Sequence, residues 1–422
     1  MSNKKVHIIG GGTVSHVRTH MALTAPAYGE TARKLYAMCK KHSDKLDVEL
    51  HLTKMACAGK SSLETNEDVA QLLNSLTKDD STKIIFMNAA MCDFEGFIDY
   101  TVVSADGSKS PTVLTPSGKY AGRLSSKSHY DMSLMPAPKV IKDIRNDRKD
   151  IFLIGFKTTT GMSERDQYLA GLDLLKRASC NLVLANDVAT RTNMIITPEE
   201  ATYHVSKDRD ATLKSLVEMA YLRSHLTFTR STIIAGDPVP WNSELVPNSL
   251  REVVDYCIAR GAYKPFNGST VGHFAVKLDD QTFLTSKRKT NFNDLKDIGL
   301  VKVKTDGPDH VIAYGSKPSV GGQSQRIVFS EHPETDCIVH FHCPIRPGSH
   351  VPTMSQREFE CGSHECGQNT STGLKKFDNL FAVYLDNHGP NIVFNRNISA
   401  IDVIWFIEEN FDLTGKTGGY LV

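Results

Sequence analysis

The chain has 422 residues, 49 Lys and Arg against 48 Asp and Glu, and 40% hydrophobic residues. A formal net charge of +1 gives no support to nucleic acid or an anionic membrane as partner. No run of 18 or more apolar residues marks a membrane span. The start carries Lys4 and Lys5 but lacks the long apolar stretch of a signal peptide. Nine scattered cysteines suit a reducing cytoplasm, the expected location, better than a disulfide framework. The length gives room for two or three domains.

In chain order, residues 6–9 read as a first strand running into Gly10-Gly11-Gly12. Residues 29–41 carry Ala32, Leu35, Tyr36 and Cys39 at helical spacing. Residues 48–52 and 84–87 are further strands. Pro138 opens a helix over 138–145, and 151–156 and 182–185 are short apolar strands. Such alternation predicts a parallel sheet with helices on both faces, whose ligands bind at the carboxyl ends of the strands. Gly10-Gly11-Gly12-Thr13, Asn88-Ala89-Ala90, Phe156 to Gly161 and Ala185-Asn186-Asp187 all fall there. The triplet lacks the third glycine of a dinucleotide fingerprint and the Lys and hydroxyl of a P-loop. Alone it is a phosphate-approaching turn or a plain tight turn.

The series of motifs resembles the phosphopantothenate–cysteine ligase (phosphopantothenoylcysteine synthetase) family over residues 4–225. Gly11-Gly12-Thr13 with Val17-Arg18 is similar to its opening loop. Asn88 to Phe94 resembles its Ala-Ala-x-x-Asp-aromatic loop. Arg123-Leu124-Ser125-Ser126 and Pro136-Ala137-Pro138-Lys139 resemble the next two segments. Gly155-Phe156-Lys157 and Ala185-Asn186-Asp187 resemble the last two. The resemblance implies a CTP- or ATP-dependent carboxylate–amine ligase. Gly11, Gly12, Thr13, Ala89, Ala90, Asp93, Phe156 and Asn186 would then face the nucleotide, with Arg123 standing where the family carries a catalytic lysine. Three departures touch that chemistry. Ala22 replaces an asparagine, Thr24-Ala25-Pro26 replaces a Ser-Ser-Gly loop, and Arg123 exchanges a point charge for a planar fork.

Residues 231–249 read as a linker, with Pro238, Pro240 and Pro247. Ser249 is placed to cap the helix suggested by Leu250, Val253, Val254, Cys257 and Ile258. Residues 271–278 and 282–285 flank a hairpin turn at Asp279-Asp280. Residues 336–339 read as a buried strand entering His340-Phe341-His342. Histidines at i and i+2 of an extended chain point the same way. With His388 from a later turn they form a three-His site with an open position; the alternative is a strand whose histidines simply pack. Cys361, His364 and Cys366 are a second zinc site, a lid, or a surface loop with unrelated thiols. Lys287-Arg288-Lys289 is an anion contact or a solvated turn.

From about residue 250 the chain resembles the class II aldolase/adducin family. Gly272 to Lys277, Lys317-Pro318-Ser319, Glu334 to His342, Asn387-His388-Gly389 and a closing helix over 402–408 carry the likeness. It implies that His340, His342 and His388 hold a divalent ion, zinc or similar. Ser319 and Lys289 would meet a substrate phosphate. The family's proton-transfer glutamate falls on Gly321, a histidine on Gln325, and an asparagine on His273. Glu331 and Tyr314 are the substitutes taken as catalytic, with Glu358 and Glu360 behind them.

The expected fold class is α/β: a Rossmann-like parallel-sheet domain over 1–230, a linker over 231–249, and a class II aldolase-like α/β/α domain over 250–422. The expected function is a bifunctional enzyme acting on small molecules, a carboxylate–amine ligase fused to a metal-dependent aldolase or epimerase. The alternatives are one active half, or a non-catalytic scaffold. Both resemblances imply a homo-oligomer, dimer or tetramer.

Overall fold

The computed structural model describes residues 4–42, 46–58, 60–100, 113–114, 117–124, 126, 130–319 and 322–421. Ser125 and Gly321 lie outside them. In chain order the first elements are β1 (Lys4–Gly12), β2 (Val14–Arg18), β3 (Met21–Thr24), α1 (Glu30–His42), β4 (Leu46–Leu52), α2 (Asn66–Lys78) and β5 (Thr82–Ala90). β6 (Phe94–Tyr100), β7 (Val113–Leu114), β8 (Asp131–Pro136), α3 (Ile141–Asp147), β9 (Phe152–Thr159), α4 (Glu164–Ala178) and β10 (Leu182–Asp187) follow. Next come β11 (Asn193–Ile196), β12 (Thr202–Ser206) and α5 (Arg209–Arg223).

A seven-stranded sheet runs β12-β11-β10-β9-β5-β1-β4. β1 pairs parallel with β4 and β5, and β5 with β9, while β11 and β12 are antiparallel. The central strands are apolar along their length because both faces are covered; Val6, Ile8, Ile9, Ile84, Ile85 and Phe86 are fully buried. α1 lays Ala32, Leu35 and Cys39 on the core. α2 starts at a capping box between Thr65 and Asp68 and buries Val69, Leu73 and Leu76. β6, β7 and β8 form a separate three-stranded sheet.

The remaining elements are β13 (Arg230–Ile234), α6 (Asn248–Ala259), β14 (Pro265–Phe266), β15 (Ser269–Thr270), β16 (His273–Lys277), β17 (Thr282–Thr285), α7 (Leu295–Ile298), β18 (Val301–Thr305) and β19 (His310–Tyr314). α8 (Gly322–Glu331), β20 (Cys337–His340), β21 (Thr353–Met354), α9 (His364–Gly373), β22 (Lys375–Phe377), β23 (Leu380–Leu385), β24 (Gly389–Phe394) and α10 (Ala400–Asn410) complete the chain. The second sheet runs β13-β19-β18-β17-β16-β20-β24-β23-β21, with β22 against β23. It is mostly antiparallel; β13–β19 and β21–β23 are parallel. One face packs on α6 and α10 through Val253, Val254, Cys257, Val403 and Ile407 together with Phe274, Val339 and Phe394. The other face places Ala275, Ile338 and Val393 beside Val328 and Phe329 of α8.

The chain divides into two compact units that do not follow a single boundary. One comprises Met1–Thr158, Asp173–Leu184 and Arg209–Ala220; the other Thr159–Leu172, Ala185–Asp208 and Tyr221–Val422. Part of the expected linker is structured: Arg230–Ile234 pairs in register with His310–Tyr314. Pro247 holds the N-cap position of α6. Ser249, the expected cap, is the second residue of the helix and donates its hydroxyl to Arg396 O at 2.7 Å. In the second unit, buried pairs tie the 199–200 segment to other parts. Arg223 meets Glu199 at 2.6 Å with neither side chain exposed. Lys416 meets Glu200 at 2.8 Å.

Candidate metal centre

Strand alternation sets His340 on the α8 side of the second sheet, with Ala275 and Ile338. β16 runs antiparallel to β20 in a register that brings His273 level with His340. β20 then ends, and the extended chain carries His342 beyond it. His388 comes from the turn between β23 and β24. Gly389 in that turn has φ of +131°, and a Cβ there would lie 2.2 Å from Phe341 O. Only glycine lets the turn press this closely on the His-x-His strand.

The three imidazoles converge. Ring centroids are 4.5 Å apart for His340–His388, 4.9 Å for His342–His388 and 5.1 Å for His340–His342. One ligand nitrogen from each lies within 4.8 Å of the others, and all three residues are buried. His340 Nδ1 donates to Pro390 O at 2.8 Å, so the lone pair is on Nε2. That Nε2 and both ring nitrogens of His388 are buried with no hydrogen-bond partner among the described residues. Buried polar atoms are seldom left so unless something binds them. A carbonyl on one ring nitrogen and an open lone pair on the other is the arrangement of a metal-ligating histidine.

Burial pushes the His340 imidazole down to about 4, and holds His388 and His273 well below the ordinary histidine value. All three are neutral at neutral pH, the form that ligates. Gln325 Nε2 donates to His273 Nδ1 at 2.8 Å, and the His273 ring lies 4.7 Å from that of His340. Two of the three positions where the family motif departs, His273 and Gln325, are thus a packed, hydrogen-bonded buttress behind the first ligand.

Other expected residues fall in different places. Ser319 N donates to Ser286 O, and Arg288 N to Lys317 O. The Lys287–Lys289 turn and the Lys317–Ser319 segment are therefore neighbours, with Lys289 exposed and Ser319 half-buried. Glu331 and Tyr314 do not reach the histidines. Glu331 is exposed at the far end of α8, almost two turns past Gln325. Tyr314 lies on β19, four strand positions from β20, which at ~4.8 Å per strand is about 19 Å. Helix phase and sheet order, invisible in a linear motif, explain both corrections. The Cys361–Cys366 segment starts α9 instead of forming a ligand group. Ser363 caps the helix, His364 Nε2 pairs with Thr229 Oγ1 at 2.8 Å, and Gln356 Nε2 donates to the buried Cys366 sulfur.

In the first unit the glycine triplet is not a loop. β1 continues through Gly12, in register with Ala89 and Ala90 at the end of β5. Gly12 N donates to Ala27 O and Thr13 N to Ala90 O. A Cβ on Gly12 would lie 1.9 Å from Ala25 O. The Thr13 hydroxyl is buried against Asn66 and receives Cys92 N. The small residues let chain segments close on β1, and these amides are engaged inside the protein. Asp93 is exposed and ion-paired with Lys139, joining two of the expected motifs. Phe156 is half-buried near the end of β9, Asn186 is buried in β10, and Arg123 is exposed.

Sequence reading missed Arg223, the last residue of α5. Besides Glu199 it donates to the carbonyls of Arg357 and Gln356, and its charge adds to burial in depressing His388. Its signal in the sequence is only an arginine closing an otherwise apolar helix turn.

Residues 251–346 match the family model described as the Class II Aldolase and Adducin N-terminal domain. The second half of the chain carries this domain. The first half is 26% identical over 124 residues to the coenzyme A biosynthesis bifunctional protein CoaBC of Thermococcus kodakarensis, covering 29% of this chain and 26% of that protein. It is 30% identical over 70 residues to the CoaBC of Methanocaldococcus jannaschii, 17% of each. The chain thus spans about a quarter or less of the length of these curated relatives. Among solved structures it is similar to the DNA/pantothenate metabolism flavoprotein from Streptococcus pneumoniae. That match has TM-score 0.41 and 15% identity over 52% of this chain and 100% of that one. It is also similar to an L-fuculose 1-phosphate aldolase, with TM-score 0.30 and 18% identity over 38% and 82%. No helix among the described residues is long and apolar enough to cross a membrane.

Proposed function

We propose that the chain is a bifunctional cytoplasmic enzyme of small-molecule metabolism. Its aldolase-type half binds a divalent ion, zinc or similar, through His340, His342 and His388. There it makes, breaks or rearranges a C–C bond beside a carbonyl of a sugar-phosphate-like substrate. The observation that carries the reading is the convergence of three buried imidazoles, with nitrogens on His340 and His388 that have no hydrogen-bond partner among the described residues. A bound ion supplies Lewis acidity toward a substrate carbonyl and hydroxyl. The chain's own residues do the rest: Pro390 O and the His273–Gln325 pair hold the His340 ring in place, and the 287–289 turn beside Ser319 meets an anionic substrate group. The ligase-type half activates a carboxylate with CTP or ATP for attack by an amine, with Asp93, Phe156, Asn186 and Arg123 as contacts. We assign no phosphate-binding role to the Gly12 and Thr13 amides, which have partners already. A homo-oligomer, dimer or tetramer, is part of the same proposal.

Elemental analysis of the wild type beside the His340→Ala, His342→Ala double variant is the test. An ion present in the wild type and missing from the variant, with carbonyl-substrate turnover missing too, supports the reading. Equal metal content in both, after exposure to excess ion, overturns it. Ala22, exposed on β3 and unable to hydrogen-bond, favours a second reading in which only the aldolase-type half is active. Nucleotide-dependent ligation by the purified chain would exclude that.

A further inference from the structure

The first unit holds another convergence of metal-ligating side chains that no motif announced. Parallel pairing of β1 with β4 sets His7 level with Glu49 and Ile9 level with His51. Side chains at His7, Glu49 and His51 therefore emerge on one face of the sheet. His7 is 1% exposed. His7 Nδ1 lies 3.1 Å from His51 Nε2 and 3.5 Å from Glu49 Oε2, and His51 Nε2 lies 3.8 Å from the same oxygen. Three donors sharing one ion at ~2.0–2.2 Å bonds and tetrahedral angles are roughly 3.3–3.6 Å apart. The triangle's edges of 3.1, 3.5 and 3.8 Å bracket that range, so shifts of a few tenths of an ångström would bring all three donors onto one ion.

Its surroundings are those of ligands held in place. Thr82 Oγ1 lies 3.3 Å from His7 Nε2, a contact in which Nε2–H can donate to the hydroxyl and so leave Nδ1 its lone pair. Lys5 takes the other carboxylate oxygen, Glu49 Oε1, at 3.0 Å, and leaves Oε2 turned to the histidines. His51 and Glu49 keep 20% and 39% of their side-chain surface, so water reaches the fourth position. With the proton of neutral His7 on Nε2, His51 Nε2–H donates to His7 Nδ1 when no ion is bound. An ion enters when His51 moves its proton to Nδ1, with no net proton loss and with one carboxylate charge to offset it.

We propose that His7, Glu49 and His51 form a second site for a borderline divalent transition ion of the zinc class, with water as fourth ligand. The ion would staple β4, the edge strand of the seven-stranded sheet, to β1. The proposal does not rest on the histidine cradle of the other unit.

The test is cobalt and zinc titration of the full chain, read by stoichiometry and by the visible d–d absorption of bound Co2+. Four proteins are compared by stoichiometry: wild type, Glu49→Gln with His51→Gln, His340→Ala with His342→Ala, and all four changes together; the Glu49→Gln single variant is added for affinity. Glu49 and His51 are partly exposed, so their variant keeps the buried His7 and its fold, checked by circular dichroism. The expected stoichiometries are two, one, one and none, with ion affinity at this site at least about tenfold weaker in the Glu49→Gln single variant. Zinc should also raise the melting temperature of His340→Ala, His342→Ala and leave that of the fourfold variant unmoved. One ion per wild-type chain, unchanged by Glu49→Gln with His51→Gln, would overturn the proposal. One ion that those two changes remove, and that survives in His340→Ala with His342→Ala, would uphold it while sinking the cradle.

Discussion

The two regions singled out by motif are built on opposite plans. The histidine centre of the second unit is assembled in the fold itself: its ligands are buried, the His340 ring is held by a carbonyl and a tilted neighbouring ring, and the turn bearing His388 is pressed against the segment bearing His340 and His342. The motif residues of the first unit divide between those absorbed into packing, such as Gly12 and Thr13, and those left at the surface, such as Asp93 and Arg123. A site whose donors are pre-oriented needs only its ligand. A site whose donors are exposed side chains must order them on binding, at a conformational-entropy cost of up to about 2 kcal/mol per long side chain.

That contrast can be broken by substitution. The largest expected effect is at the buried pair near the centre. Glu199→Gln leaves the Arg223 guanidinium buried without its anion, and should destabilise the second unit by about 3–5 kcal/mol in urea unfolding. A loss under 1 kcal/mol would mean water reaches Arg223. Gly389→Ala comes next. Its φ of +131° and 2.2 Å approach to Phe341 O predict about 1–3 kcal/mol of strain, and weaker metal retention against a chelator as His388 is displaced. Unchanged metal retention would show that the turn does not position His388. Gln325→Leu removes the donor to His273, costs about 1–2 kcal/mol, and should weaken ion binding by up to about tenfold. Full-strength binding would make the buttress irrelevant to the ion.

The smaller effects belong to the first unit. Hydrogen bonds from Lys119 and Lys54 hold the Glu64 carboxyl down at about 2, against 4.5 unperturbed. Its contribution to stability is therefore complete above the unfolded value of 4.5, and is lost as pH falls from there through about 2. The difference in urea midpoint between wild type and Glu64→Gln should shrink to nothing over that window; a constant difference would refute the pairing. Smallest of all, Asp93→Ala at an exposed position should change stability by less than about 0.5 kcal/mol. In isothermal titration it should still weaken nucleotide binding measurably. A stability loss without a binding loss would reassign Asp93 to holding Lys139.

Much of this was legible locally. Period-two alternation directs the side chains of His340 and His342, and 3.6-residue periodicity marks α1 and α6 within one or two residues of their ends. Those signals sit within a few residues of chain, where backbone geometry dictates which way a side chain points. The short apolar strands of the first half, alternating with helices, announced a sheet covered on both faces, which the structure contains.

Other features depended on which strands became neighbours. Tyr314 and Glu331 looked available to the histidine centre until sheet order and helix phase put them elsewhere. The glycine triplet looked like an open loop until the segment at Ala25–Ala27 closed over it. His7, Glu49 and His51 carry no motif, and meet only because β1 and β4 pair in one register. By itself the sequence determined the type of its strongly periodic segments and two of the three ligands' shared direction. The tertiary structure alone decided which donors share a point in space, because cross-strand register and helix docking are set by burial summed over the whole chain and leave no local trace.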